Sequence, residues 1–179
     1  MSSASSAQSA PSRVEQPTLE LTVVGQPLRG IQLGVAVNAS VVVSLRTPST
    51  EQRVDPDRVD TSRFFGVTSL VYERSDGERM TMEAGSLTGN KTYDSVNDMP
   101  TDSMRTFERI NPNLVVLGYF SFSGLVIRQA GTFRIRTTLA RMGAEGASSL
   151  MAVDSEPVKV ERRGTVISSQ RRQHRVYGS

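Results

Sequence analysis

The chain has 179 residues, of which 37% are apolar, and its net charge is +3. This length suits one domain with flexible ends, and no apolar run approaches the roughly 20 residues that a bilayer-spanning helix needs. The sequence contains no cysteine, which excludes disulfides, thiolate catalysis and cysteine-ligated zinc. Because residues 1–17 lack the apolar centre of a secretory signal, we expect an intracellular protein without membrane contact.

The positive charge is concentrated near the C-terminal end. Residues 157–179 carry six basic side chains against Glu161, a net +5, which leaves −2 for residues 1–156. Such asymmetry predicts contact with a polyanion or an import signal, for which RRQHR (171–175) is a short candidate. A solvated basic tail is the alternative. The six basic residues are Lys159, Arg162, Arg163, Arg171, Arg172 and Arg175.

The first half of the ordered chain reads as short strands separated by turns. Alternation in LELTVV (19–24) and the β-branched run VVVSLR (41–46) each predict a strand, and a long polar loop (47–62) follows. The segments RFFGVTSLVYER (63–74) and ERMTME (78–83) predict a hairpin. Its turn is Ser-Asp-Gly, and Asp-Gly readily adopts the positive φ that such turns require.

One short helix is expected between residues 100 and 110, after a stretch with a weak pattern. Thr101 or Asp102 would cap it, and Met104 and Phe107 would supply its apolar contacts. Asn111 followed by Pro112 would end it.

The segments that follow the helix are again rich in strand signals. Residues 113–128 are strongly β-prone, and Gly118 and Gly124 predict either a bulge or a division into two strands. A turn at residues 129–131 leads into TFRIRTTLA, and PVKVERR (157–163) predicts a last strand.

The strand after that turn carries two different faces. Side chains alternate across a strand, so one face is predicted to enter the core and the other to meet water, acidic groups or an anion. We expect Arg134 and Arg136 to pair with acidic groups, the alternative being a basic stripe on nucleic acid. The core face holds Phe133, Ile135, Thr137 and Leu139, and the outer face holds Arg134, Arg136, Thr138 and Ala140.

Many short strands with turn signals at modest spacing predict an all-β sandwich with one or two short helices in loops. Residues 1–17 are expected to form a disordered tail, since they hold too few apolar groups to offset ordering entropy. The sandwich would span residues 18–163, and residues 164–179 would form a basic C-terminal tail.

Three features that could carry catalysis or metal binding fail on inspection. His174 is the one histidine and lies in the predicted tail. GSLTGNKT (85–92) departs from the phosphate-loop spacing, and the carboxylates of Asp55, Asp57 and Asp60 lack the central glycine and distal glutamate of a calcium loop. We therefore expect a protein that is not an enzyme and has no cofactor, metal site or small-molecule substrate.

Five segments, in order and spacing, resemble the velvet-domain regulators of fungi over roughly residues 19–170. The longest is GYFSFSGLVIRQAGTFRIRTTL (118–139), similar to the family's aromatic strand, Arg and Gly-x-Phe/Tyr-Arg motif. The others are LELTVVGQPLR (19–29), RFFGVTSLVYERSDGE (63–78), LTG (87–89) and PVKVERRGTVISSQ (157–170).

The resemblance implies an immunoglobulin-like β-sandwich related to Rel-homology domains. It also implies a nuclear regulator, shuttling with the cytoplasm, that controls development, sporulation and secondary metabolism. Such a protein would dimerise with itself or another velvet-family protein and bind double-stranded DNA.

One departure from the family leaves two alternative predictions of function. The family usually has a basic, proline-rich loop after its Gln-Pro turn, whereas here no Lys or Arg lies between Arg29 and Arg46. Phosphate contacts need cations, so DNA binding would depend on other residues or on a partner subunit. The alternative is a protein-interaction module without DNA affinity. The candidate DNA-binding residues are Arg29, Arg162, Arg163, Arg171, Arg172 and Arg175.

Overall fold

The computed structural model describes residues 17–48 and 54–163. Predictions that fall on residues 1–16, 49–53 and 164–179 lie outside the described residues; they concern the two tails, His174, Arg171, Arg172 and Arg175. The described elements, in chain order, are β1 (Thr18–Gly25), β2 (Gly30–Gln32), β3 (Ala36–Arg46), a 3₁₀ turn (Pro56–Arg58), β4 (Phe64–Glu73), β5 (Arg79–Thr81), β6 (Leu87–Thr88), β7 (Tyr93–Ser95), α1 (Thr101–Ile110), β8 (Leu114–Ile127), β9 (Gly131–Gly143), β10 (Gly146–Asp154) and β11 (Val158–Glu161).

The described strands form two sheets, as an all-β sandwich requires. The first sheet has the order β1-β3-β8-β6, and the second has the order β2-β11-β9-β4-β5. In the second sheet β7 also pairs with β4. Both β10 and β11 pair with the same edge of β9, β10 along residues 136–143 and β11 along residues 131–133. Only the β2–β11 pair is parallel in the described part of the chain.

The main core lies between the two sheets. Phe120 and Phe122 of β8 are fully buried and their ring centroids are 6.1 Å apart. The predicted core face of β9 is confirmed, because Phe133, Ile135 and Leu139 are 6%, 2% and 0% exposed.

Two backbone predictions at glycines are confirmed. Gly77 has φ of +86° in the β4–β5 hairpin, where the Asp76 carboxylate accepts a 2.9 Å hydrogen bond from the Glu78 N–H. The strand β8 is continuous, and its pairing with β3 shifts register near both Gly118 and Gly124, which is the bulge alternative.

The helix α1 packs on the outer side of the first sheet. Phe107 is buried and Met104 is half-buried against a second cluster that includes Val42 of β3. The predicted cap is wrong, because the N-cap is Pro100, which makes no side-chain hydrogen bond. Thr101 is already the first helical residue there.

Two other details differ from expectation. Ala140, assigned to the solvent face of β9, is 6% exposed, because its small side chain lies at the register of the larger Phe65 on β4, with Ser149 of β10 on its other side. The sequence pattern also did not predict β2, β6, β7 or β10, which are either very short or poor in apolar alternation.

Candidate nucleic-acid interface

The edge formed by β2 and β11 brings together distant basic parts of the sequence. Lys159 pairs with Gly30, and Glu161 pairs with Gln32. The Lys159 N–H donates a 2.7 Å hydrogen bond to the carbonyl of Arg29. The two strands are parallel, so residues just before β2 and just after β11 lie at opposite ends of one short ladder.

Four exposed cations line this ladder, and we call them the basic edge: Arg29, Lys159, Arg162 and Arg163. Arg29 and Arg162 are separated by four ladder positions, or about 13 Å at the usual strand rise. Within the described residues, none of the three arginines forms a salt bridge. Their charges are therefore available to an anion.

The predicted DNA-binding residues thus divide into two groups. The structure places Arg29, Arg162 and Arg163 on one edge, while Arg171, Arg172 and Arg175 lie outside the described residues. Lys159 also lies on this edge, although it is not among the predicted DNA-binding residues. Its alternation with the buried Val158 and Val160 is the signal that could have found it.

The positive charge of Lys159 is partly neutralised by Glu161. Its Nζ lies 3.0 Å from Oε1 of Glu161, and both side chains are about two-thirds exposed. An ion pair so accessible to solvent contributes little to stability, typically about 0–1 kcal/mol. Glu161 therefore acts mainly as a negative charge on an otherwise positive edge.

Arg134 and Arg136 of β9 pair with acids, as expected. Arg136 donates from Nε and Nη2 to the two carboxylate oxygens of Asp154, at 2.7 and 3.0 Å. Arg79 of β5 donates to the same Asp154 carboxylate at 2.9 Å. Arg134 donates to the Ser155 carbonyl at 3.1 Å and lies 3.7 Å from Glu73. These three arginines therefore bind acidic or carbonyl groups of the protein itself.

The ionisation of this cluster reflects the pairing. The hydrogen bond from Arg136 is the main cause that lowers the pKa of Asp154, opposed by partial burial and reinforced by Arg79. The same hydrogen bond raises the pKa of Arg136. The outer face of the second sheet is thus held by a charge-compensated network.

Next to that network the same face is apolar. A shallow groove of about 700 Å³ has Phe65, Val67, Tyr93 and Met142 as its apolar lining, beside the polar segment 90–92, Asp94 and Ser95, and we call it the apolar groove. Tyr93 is 70% exposed and Met142 is 50% exposed. Large exposed apolar side chains in one place mark a surface that suits protein contact.

The groove is supported by one buried carboxylate. Asp94 of β7 is 5% exposed; it pairs with Lys91 at 2.9 Å and accepts hydrogen bonds from the Asn97 amide and the Ser121 N–H. Those bonds tie β7 to β8. Asp94 therefore has a structural role in fixing the wall that carries Tyr93.

The loop acids have local structural roles. The Asp55 side chain accepts from the Asp57 N–H and caps the 3₁₀ turn. Asp60 accepts two hydrogen bonds from Ser62, and these lower its pKa. No group of three metal-binding side chains occurs within residues 17–48 and 54–163.

No helix in the described ranges has both the length and the apolar character needed to cross a membrane.

No family model and no curated protein matches this sequence. Among solved structures, the chain is similar to the major subunit of aggregative adherence fimbriae type I from Escherichia coli. The identity is 9%, the match covers 83% of this chain and 97% of that one, and the TM-score is 0.26. A similarity at this level carries no functional argument, and the all-β sandwich is established by the strands themselves.

Proposed function

We propose that this protein is a velvet-like nuclear regulator of fungal development and secondary metabolism. It acts as a dimer and contacts DNA directly through the basic edge or through a partner subunit. The observation that carries the proposal is the basic edge itself, where Arg29 and Arg162 flank the two ends of one ladder although they are far apart in sequence.

The backbone makes this edge suitable for phosphate binding. The hydrogen bonds that Arg29 and Glu161 accept from Lys159 and Leu33 fix the two ends of the ladder relative to each other. Cations held at a fixed spacing can contact phosphates of one duplex together, and their affinity comes largely from counterion release. Such contacts position a protein and do not read bases.

The region after the Gln-Pro turn supports dependence on a partner. The connection from β2 to β3 is a short turn with Gly34 at φ of +88°, and it carries no cation. Arg46, the next basic residue, gives both its Nε and Nη2 protons to Glu20 at 2.6 and 2.9 Å. Sequence-specific contacts would therefore come from a second subunit.

A salt titration tests the direct contact. Binding of the full chain to a fluorescent duplex is measured from low to physiological salt for the wild type, Arg162→Gln/Arg163→Gln, and Arg105→Gln/Arg109→Gln. The last variant removes the same charge from exposed positions of α1. We expect the log–log slope to flatten by about 0.9 for each phosphate that is no longer neutralised, only in the first variant. Equal weakening in both variants would contradict the assignment of the basic edge.

The apolar groove favours a second function, that of a protein-interaction module without its own DNA affinity. Phe65, Val67, Tyr93 and Met142 offer an apolar surface beside compensated charges. The same titration separates the two functions. Undetectable binding to the duplex at low salt would favour the interaction module.

A further inference from the structure

The outer edge of β10 is a second surface that the proposed DNA contact does not use. In the described chain β10 pairs only with β9. Its C-terminal half is partly covered, because Met151 and Val153 pack against the core. Residues 146–150 are exposed throughout, and we call them the open edge.

The open edge lacks most of the devices that keep sheet edges from pairing. Its sequence is Gly-Ala-Ser-Ser-Leu, without charge or proline, and the nearest charged residues along the chain are Glu145 and Asp154. Edge strands usually carry lysine, proline or a bulge that prevents edge-to-edge association. Here a register shift at Leu150 interrupts only the far end of the open edge.

We propose that the open edge pairs antiparallel with the open edge of a second copy of this chain. A two-fold axis beside Ser148 would place Ser148 opposite its own copy and Gly146 opposite Leu150. This inference goes beyond the proposed function, because it concerns association between two copies of this chain. A second copy also lacks cations between Arg29 and Arg46, so it would not supply the sequence-specific DNA contacts.

The side chains suit this register. Leu150 is 44% exposed, and a Cβ at Gly146 would meet nothing within 4 Å, so the leucine of one copy has space beside the glycine of the other. Glu145 would lie opposite Met151, which avoids opposing like charges. Asp154 at the end of β10 is already neutralised by Arg136 and Arg79.

A second copy fits better than an unrelated strand because the pairing is closed. In a two-fold arrangement the same patch serves both subunits, and each open edge is covered by the other. The pairing would join the two second sheets into one continuous sheet through β9 and β10.

A charge-swap experiment on the full chain tests the axis. Ser148→Lys and Ser148→Glu are each examined by sedimentation equilibrium, alone and mixed. Like charges placed opposite each other across an interface are strongly unfavourable, so each variant alone should raise the dimer dissociation constant at least tenfold. The mixture should form a heterodimer at least as tight as the wild-type dimer, because Lys then faces Glu. The control is Thr81→Lys on β5, an exposed position on the opposite edge of the same sheet, which should leave the dimer unchanged.

The outcomes separate this inference from the proposed function. A wild-type chain that remains monomeric at about 100 μM would overturn this inference, and the proposed function would then require a different protein as the second subunit. A dimer unaffected by Ser148→Lys would overturn the β10 interface and leave a dimer formed elsewhere. Failure of the mixed variants to restore the dimer would overturn the two-fold axis at Ser148. Circular dichroism spectra of all variants should match the wild type, since Ser148 is exposed.

Discussion

Arg136 and Asp154 join neighbouring strands through a two-point contact, in which the guanidinium donates from Nε and Nη2 to both carboxylate oxygens. The side chain of Asp154 is only 8% exposed, while that of Arg136 is 28% exposed. Two parallel hydrogen bonds between charged groups fix geometry as well as adding energy. This contact therefore anchors the C-terminal end of β10 to β9.

Replacing Asp154 by Asn should destabilise the protein at neutral pH. The change removes the charge that Arg136 and Arg79 share, and leaves a half-buried guanidinium without its anion. Charge-assisted hydrogen bonds of this kind are worth about 1.5–3 kcal/mol, which is the loss we expect in urea unfolding. Glu161→Gln is the matched control, since its pair with Lys159 is solvent-exposed and should cost about 0–1 kcal/mol. Equal effects of the two changes would contradict the anchoring role of Asp154.

The same contact predicts a pH dependence. The pKa of Asp154 is lowered in the folded state, so its ionised form is favoured by folding. The resulting stabilisation is present above the ordinary carboxyl pKa of about 3.9 and is lost as pH falls through the lower folded-state value. We expect the difference in unfolding free energy between wild type and Asp154→Asn to be constant from pH 7 to pH 5 and to shrink below pH 4. A difference that persists unchanged in acid would contradict this linkage.

Removing the acid of the basic edge should strengthen DNA binding. Glu161→Gln deletes the negative charge that lies 3.0 Å from the Lys159 ammonium and frees that cation for a phosphate. We expect tighter binding and a salt slope steeper by about 0.9, measured by fluorescence anisotropy. The control is Glu78→Gln, which removes an exposed, Arg74-paired carboxylate from the β4–β5 hairpin and should change neither quantity. Affinity that falls or stays constant in Glu161→Gln would argue against phosphate contact at this edge.

The strands predicted correctly from the sequence are those in which the alternation of apolar residues matches the alternation of buried side chains. In β9, alternate side chains enter the core, so Phe133 and Ile135 indicate the strand and its register without reference to the rest of the chain. In β10 the pattern fails, because Gly-Ala-Ser-Ser buries nothing and its strand conformation is imposed by pairing with β9. The short β2 has only three residues, and β11, its partner, lies far along the chain.

The candidate site shows the same limit. The alternation of side chains in β9 predicted that Arg136 lies on the outer face and pairs with an acid. It did not identify Asp154 as that acid, because the position of Asp154 beside Arg136 depends on the register between β9 and β10. The sequence also did not predict that Arg29 and Arg162 lie on one edge. Parallel pairing between β2 and β11, which are far apart in the sequence, produces no local pattern. The sequence identified most of these cations, but only the pairing of β2 with β11 shows which of them lie on the same edge.

Gly66 is predicted to be intolerant of a side chain. A Cβ at this position of β4 would lie 2.7 Å from a ring carbon of Phe120, which is fully buried and cannot turn away without moving its neighbours. Overpacking of this kind typically costs about 1–3 kcal/mol, and we expect that loss for Gly66→Ala in urea unfolding. Gly30→Ala is the control, since a Cβ there meets nothing within 4 Å. A Gly66→Ala protein as stable as the control would contradict the close approach of the two sheets.

Truncation of Phe133 tests the core face of β9. This side chain is 6% exposed and packs in the main cluster, at the register of Val158 on β11. Replacing a buried Phe by Ala removes apolar packing and leaves a cavity, with a usual cost of about 3–5 kcal/mol. We therefore expect Phe133→Ala to lower the free energy of unfolding by that amount.

Tyr93→Ala is the control for this truncation, because Tyr93 is an aromatic residue that is 70% exposed in the apolar groove. It should change the unfolding free energy by no more than about 0.5 kcal/mol, as exposed positions usually do. A large loss in Tyr93→Ala together with a small loss in Phe133→Ala would reverse the assignment of inner and outer faces. The register of the whole second sheet would then be wrong, since every side chain of β9 would exchange faces.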